Sequence, residues 1–231
     1  MVGQKRTHKK AVIGRRPKSQ GLDLDSRGAI LKAARTVFAR NGFEGASMRE
    51  VADIARVNNA MIYYHFRDKG ELYRAVLADS VSALDRIWDH ELFRGDAPVR
   101  EKINNYLEEF IHFQHANDEL RRICSMEMVS CGENCRWLGQ NLFTNSYRKL
   151  AAILNAGMKS GEVKKINPTF AIATLIGMIS HSFILHPIAE HVTGKKLDLS
   201  VKRFGAFVSE LFFDGLGLVP AQKRQGTKRR A

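Results

Sequence analysis

The chain has 231 residues, of which 44% are apolar, and carries a formal net charge of +13. That length and apolar content exclude a chain too polar to bury a core, and allow either a small reading module with a second helical domain or one larger domain. The charge suggests nucleic acid only until its position is read: Lys5, Arg6, Lys9, Lys10, Arg15, Arg16 and Lys18 lie in the first 20 residues, and Lys223, Arg224, Lys228, Arg229 and Arg230 in the last 11, leaving the body at +1. Basic tails are commonly solvated, so composition alone does not establish DNA binding.

No apolar stretch of about seven to fifteen residues follows the basic N-terminus, so no secretory signal is expected. Residues 170–189 approach the ~20 apolar residues of a membrane span, but Ser180, His181, Ser182, His186 and Pro187 interrupt them. A buried helix is expected there. Three cysteines, Cys124, Cys131 and Cys135, fit a reducing compartment without a disulfide framework. The expected location is cytoplasmic.

Only five prolines occur, and no strand-like alternation is sustained anywhere, so the expected fold is all-α. A first helix, capped near Ser26, presents Ile30, Leu31, Ala34, Val37 and Phe38 on one face and stops at Asn41-Gly42, where glycine supplies a left-handed residue. A second opens at Ser47-Met48-Arg49-Glu50, a capping box, with Val51, Ile54 and Ala55 as its inner face. A short third helix follows the N-cap Asn58 and runs through Met61, Ile62, Tyr63 and Tyr64 to Phe66, with Met61, Ile62 and Phe66 facing inward. Asp68 and Glu71 form another box, opening a long helix through Leu72, Val76, Leu77, Leu84 and Trp88. Further helices are predicted at roughly 98–116, 118–131, 134–160, 168–190 and 198–216.

The second and third helices are separated by Arg56-Val57-Asn58 alone, the short turn of a helix-turn-helix. Such a unit places its second helix in the major groove while the first crosses the backbone. Tyr63, Tyr64 and His65 crowd the end of the third helix, where their polar groups suit phosphate oxygens and a tyrosine ring suits a thymine methyl. Taken in isolation, one tyrosine and the histidine are better read as helix-packing residues.

The wider spacing decides between these readings. Ile30-Leu31-x-Ala33-Ala34-x-x-x-Phe38-x-x-x-Gly42-Phe43, then Ser47-x-Arg49-Glu50-Val51-Ala52, then Val57 and Ile62-Tyr63-Tyr64-His65-Phe66-x-x-Lys69-x-x-Leu72 closely resembles the N-terminal domain of the TetR family of bacterial regulators. The resemblance covers residues 26–75. It implies base readout by Asn59, Ala60 and Tyr64, with Arg49 reaching a base or phosphate from the second helix, and phosphate contacts by Tyr63, His65, Lys69 and the region of Ser47. Asn58 is counted with them. The chemistry agrees, because asparagine pairs bidentately with adenine and arginine with guanine. One departure stands out: Arg56 occupies a turn position where the family commonly has glycine. Either the turn geometry differs or the protein tolerates a left-handed arginine, whose side chain would then be placed to touch phosphate.

The resulting division is a basic arm over residues 1–22, a helix-turn-helix domain over 23–72, a helical effector-binding and dimerisation domain over 73–218, and a basic tail over 219–231. Arg15 and Arg16 are expected to enter the minor groove, as homeodomain arms do.

In the C-terminal half the family pattern is one of layout only. Ala171, Ile172, Leu175, Met178, Ile179, Phe183 and Leu185, then Val201, Phe204, Phe207, Val208, Leu211 and Phe212, provide apolar surface either for an intrachain core or for a four-helix bundle with a second copy. A homodimer would put two reading helices on the half-sites of a palindromic operator about 34–36 Å apart. Phe110, Phe113, Met126, Glu127, Trp137, Phe143 and Tyr147 are either ordinary core or the walls of an effector pocket. The three cysteines are read as inert, with a redox switch or a metal site shared with His112 or His115 as the alternative. No cofactor or metal is expected. No nucleophile–base grouping points to an enzyme. The reading is thus a DNA-binding transcriptional regulator, a repressor released by a small-molecule effector; a nonspecific architectural DNA protein is the competing class.

Overall fold

The computed structural model describes residues 19–93 and 95–214, and every regular element among them is helical. The elements are α1 (Ser19–Gly45), α2 (Met48–Ala55), α3 (Asn59–His65), α4 (Lys69–Asp85), α5 (Val99–Ala116), α6 (Asp118–Ser130), α7 (Glu133–Leu138), α8 (Thr144–Ser160), α9 (Pro168–Thr193) and α10 (Ala206–Asp214). Two short 3-10 turns over Arg86–Asp89 and Glu91–Phe93 join α4 to α5. Wider π-type turns over Gly139–Phe143 and Val201–Gly205 lead into α8 and α10.

The first four helices form the head. Ile30, Leu31, Ala34, Val37 and Phe38 are buried along α1, as the periodicity predicts, and the helical geometry breaks at Gly42, with φ 68° and ψ 179°. The start of α1 differs from the prediction. It begins at Ser19, so residues 19–22, expected in the arm, are helical, and Ser26 lies inside the helix instead of capping it. Arg15 and Arg16 lie outside the described residues. On α2 the inward residues are Val51 and Ala52, while Ile54, expected inside, is exposed. A helix of only two turns has room for one narrow contact stripe, and here it runs along positions 51 and 52.

Helix α4 crosses the expected boundary at 72/73. Leu72 and Tyr73 at its start and Val76 and Leu77 further along are all buried, so one continuous helix contributes to the head and to the domain behind it. Behind it, α5 is the central helix, burying Ile103, Tyr106, Leu107, Phe110 and Ile111. Trp88, Tyr106, Phe110 and Phe113 stack in series with centroid spacings of 5.3, 5.6 and 6.3 Å.

Helix α9 was expected to be buried. It buries Ile172, Leu175, Ile179 and Phe183 on one face, whereas Phe170, Ile184, Leu185, Ile188 and Val192 are exposed on the other. The helix is long and apolar enough to cross a membrane by length and composition. Its inner face nonetheless supplies core to this domain, so α9 is a core helix with one apolar side left uncovered in the single chain. Most of the apolar residues singled out on the last two helices face inward; Leu185 and Phe207 are the exposed exceptions.

Candidate nucleic-acid interface

Helix α3 is presented by its two ends and its inner face. At the N-terminus the Asn58 side chain accepts from the Met61 N–H at 2.7 Å, satisfying one of the amides that a helix start leaves open. Ile62 and Phe66, one turn apart, are buried in the head. Asn59 and Tyr63, and likewise Ala60 and Tyr64, are also spaced one turn apart, which puts Ala60 and Tyr64 on the opposite side and Asn59 and Tyr63 on the flank between. All four are exposed, Tyr63 by 52% and Tyr64 by 71%. Two large aromatic rings left in water on a helix whose other face is fixed in a core form a surface suited to contact with a second molecule.

Helix α2 is held against α1 by half of the expected capping box. The Ser47 hydroxyl accepts from the Glu50 N–H at 3.1 Å. The Glu50 carboxylate does not return to the N-cap amide; it turns to α1, accepting from Asn41 Nδ2 at 2.9 Å, with Arg40 3.9 Å away. The second box is altered in the same sense: Asp68 accepts from the Glu71 N–H at 2.8 Å, but Glu71 accepts from the Arg67 N–H, one residue before the cap. The backbone hydrogen bond from Glu71 and the Arg67 guanidinium together lower the Asp68 carboxyl below its ordinary range.

The turn between the two helices answers the question raised by Arg56. Its φ of 57° and ψ of 40° are left-handed, and its N–H caps α2 on the carbonyls of Ala52 and Asp53. The geometry is the one glycine adopts freely, and arginine holds it at a cost of about 1 kcal/mol. The protein therefore tolerates the strain.

The expected phosphate-gripping residues fall into two groups. Ser47, Arg49, Asn58 and Tyr63 are exposed, and the Ser47 hydroxyl, which accepts from Glu50, still has its proton to donate. His65 and Lys69 are half-buried and carry intrachain contacts. His65 Nε2 is 2.8 Å from the Ser26 hydroxyl. The Lys69 ammonium donates to the carbonyls of Glu44 and Ala46, at 3.2 Å each, and sits 4.7 Å from the centre of the Phe43 ring. Lys69 thus ties the end of α1 to the start of α4, with the third of its protons left for an anion. Sequence reasoning missed the neighbourhood of Ser26 and Arg27. Treating Ser26 as a helix start hid that α1 lies beside the end of α3, with the Arg27 guanidinium 5.3 Å from the Phe66 ring centre.

Helix α6 joins the head to the domain behind it. Thr36 of α1 donates to Glu119 at 2.8 Å, and the Tyr73 hydroxyl of α4 donates to Glu127 at 2.5 Å in a buried contact. Burial, and then the hydrogen bond to Glu127, hold the Tyr73 phenol far above its ordinary range. Both acceptors belong to one face of α6, two turns apart.

The residues expected to wall an effector pocket do not line the cleft described below. Phe110 and Glu127 are buried in packed surroundings, Phe113 and Trp137 are packed against the core, and Met126, Phe143 and Tyr147 are exposed. Tyr147 bonds Thr169 at 2.7 Å. Periodicity locates inward faces but not which of them enclose empty space. A cleft of about 1000 Å³ opens elsewhere, between the start of α5, the α8–α9 connection and the ends of α9 and α10. Val99, Leu154, Ile166, Phe170, Leu211 and Phe212 give it apolar walls; its charged lining residues are Arg100 and Lys164 with Glu162 and Asp214, and Arg100 is ion-paired with Asp214 at 2.6 Å.

The cysteines do not converge with the histidines named as possible co-ligands. His115 bonds the Leu199 carbonyl at 2.9 Å and packs edge-on to Phe183. Burial pushes the Cys124 thiol up to about 12, and burial followed by the neighbouring Cys131 raises Cys135. Both shifts lower the thiolate fraction near neutral pH. Among the described residues, no three His, Cys, Asp or Glu side chains are grouped as metal ligands.

Residues 30–76 match the family model described as bacterial regulatory proteins, tetR family. The HTH-type transcriptional regulator RutR of Escherichia coli K12 is 28% identical over 175 residues, 73% of this chain and 79% of RutR. The HTH-type transcriptional activator FasR of Mycolicibacterium smegmatis is 31% identical over 130 residues, covering 56% of this chain and 59% of FasR. Among solved structures, the transcriptional regulator FadR from Bacillus subtilis in complex with stearoyl-CoA superposes with a TM-score of 0.67 at 21% identity, over 82% of this chain and 98% of that one. At that identity the likeness is one of fold.

Proposed function

Because this chain belongs to the TetR family of bacterial regulators and is a DNA-binding transcriptional regulator, we propose that it represses its target as a homodimer on a palindromic operator and is released by a small-molecule effector. The observation that carries this reading is the outward face of α3: Asn59, Ala60, Tyr63 and Tyr64 stand in solvent while Ile62 and Phe66 fix the helix from behind. Asn59, Ala60 and Tyr64 read bases. Ser47, Arg49, Asn58, Tyr63, His65 and Lys69 position the head on the phosphates. Arg15 and Arg16 extend the contact into the minor groove. Footprinting on genomic DNA with the full chain tests the reading. A discrete protected palindrome is expected, and sequence-independent coating overturns it in favour of an architectural role.

The dimer rests on the uncovered side of α9. Phe170, Thr174, Gly177, His181, Ile184, Ile188 and Val192 recur at intervals of three and four residues along that side, the spacing of a helix–helix seam. Gly177 has open space where a Cβ would stand. Within one chain, the Cβ of Gly177→Leu therefore meets no obstacle, and the change gains helix propensity of up to ~1 kcal/mol. Across a seam it separates the helices. The expected result in sedimentation is a folded monomer, and a Gly177→Leu dimer with unchanged affinity refutes this seam.

The effector site is the cleft beside α9 and α10. Its volume is in the range of ligand pockets, and its walls suit an apolar body, with Lys164 as the lining cation for an anionic end, Arg100 being ion-paired with Asp214. Filling it bears on the helices that carry the seam and so on the spacing of the two heads. The stearoyl-CoA held by FadR is a ligand of this chemical type and is the first probe. Release of operator DNA by it or a shorter acyl carboxylate, abolished by Leu154→Trp, is expected; release unaffected by Leu154→Trp places the effector elsewhere.

A further inference from the structure

Arg56 stands where the backbone asks for glycine. Its left-handed φ of 57° is imposed by the turn, since its N–H must return to Ala52 and Asp53 to close α2. Among the described residues, no side-chain contact of Arg56 offsets the strain. The side chain is exposed, and among the described residues the guanidinium has no hydrogen-bond or ion-pair partner. Strained residues without an intramolecular reason persist at sites of function.

The location supplies a reason. Arg56 precedes Asn59, the first residue of α3, by three positions. A reading helix enters the major groove with its N-terminal residues at the bases while the preceding helix crosses the backbone, so the turn joining them comes up beside the groove wall, which is lined with phosphate. Arg49 is exposed in the first turn of α2 and Arg56 at its end. The two guanidiniums bracket the helix that lies across the strand.

We propose that Arg56 is a DNA phosphate contact, one from each protomer, added to the reading head at the cost of a strained turn. Arginine suits the task because its guanidinium stays charged and presents a planar fork of donors to phosphate oxygens. The proposal rests on the operator-binding reading above, and the test separates the two.

The wild-type chain is used to enrich a cognate duplex from random DNA, and binding to it and to a non-cognate duplex of equal length is followed by fluorescence anisotropy between 50 and 200 mM salt. Arg56→Gln keeps the left-handed side chain and removes the charge; Arg56→Gly removes both; Arg56→Lys restores the charge. With two contacts per dimer, the slope of log affinity against log salt should shallow by ~1.8 in the Gln and Gly variants. Affinity should fall about tenfold on both duplexes, because a phosphate contact carries no sequence information. Arg56→Lys should recover most of the slope. Arg56→Gly alone should melt about 2–4 °C higher, reporting relief of the strain. An unchanged slope in Arg56→Gln overturns the proposal. So does a loss confined to the cognate duplex, or one confined to Arg56→Gly, which would trace the effect to base readout or to turn stiffness. A wild-type chain that enriches no duplex overturns the operator-binding reading and this proposal with it.

Discussion

Replacing Tyr73 by Phe removes one oxygen and leaves the ring among Phe38 and Phe43, with which it makes edge and tilted contacts at 4.7 and 4.9 Å. The packing is retained, so the change isolates the 2.5 Å hydrogen bond to Glu127. A hydrogen bond to a charged acceptor contributes about 1.5–3 kcal/mol net, and the larger part of that is the cost of leaving the buried acceptor without its donor. A loss of ~2 kcal/mol corresponds to a fall in melting temperature of about 4–8 °C for a chain of this size. The assay is urea unfolding at fixed protein concentration, since any association of copies makes apparent stability concentration-dependent. Glu127→Gln is the paired control, because an amide oxygen still accepts from the phenol and the loss should be smaller. The pH dependence carries a sign of its own. The folded phenol is raised above its ordinary 10.0, so its contribution is complete below pH 10 and is lost as pH rises above it; Tyr73→Phe should remove that alkaline loss. A Tyr73→Phe variant within ~0.5 kcal/mol of wild type and with an unchanged alkaline limb refutes the argument.

Asn59→Ala should weaken operator binding by about 1–3 kcal/mol if the side chain pairs with adenine, with the loss concentrated at one base position in a footprint of substituted operators; a uniform loss at every position contradicts base readout. Thiol titration of the native chain at pH 8 should label exposed Cys131 first and half-buried Cys124, whose thiol is pushed up to about 12, last; labelling of Cys124 ahead of Cys131 contradicts this order. Asp68 is lowered by its cap to Glu71 and by Arg67, so the stability it contributes is present above about pH 4 and is lost as pH falls through its folded value; Asp68→Ala should lower the melting temperature at neutral pH and flatten that acid limb, and an acid limb identical to wild type would show the cap carries none of it.

The head was legible in the sequence because its rules are local. Asn58 caps α3 from three residues away, and Gly42 breaks α1 where a left-handed residue was expected. Misreadings occurred where a side chain had a distant partner to choose. Ser26 reads as a cap from its neighbours alone, yet it meets His65 across 39 residues of sequence. Glu50 completes a capping box on paper, but Asn41 is within its reach and takes the carboxylate. The effector region shows the same limit in a stronger form. Phe110 and Phe143 carry the same apolar signal, and one is buried while the other is exposed. Enclosed space depends on how α5, α9 and α10 diverge, which no spacing within a single helix records.

The two hydrogen bonds from the head to α6 bound what an effector can do. Glu119 and Glu127 lie eight residues apart on one helix, about 12 Å along its axis, and receive α1 and α4 respectively. A displacement of α6 along its axis must drag both helices or break both bonds, so the head moves with α6 as a unit or parts from it at two points together. Because Tyr73 is buried and Thr36 only half-buried in its contact, the Glu127 bond is the stronger of the two, and α4 is the arm that follows. If the proposed effector acts by moving α6, its coupling to the operator equals the difference in effector binding between the two positions of α6, and the operator feels the same difference in return. Tyr73→Phe, by releasing α4 from α6, should reduce that coupling in both directions even where each ligand still binds.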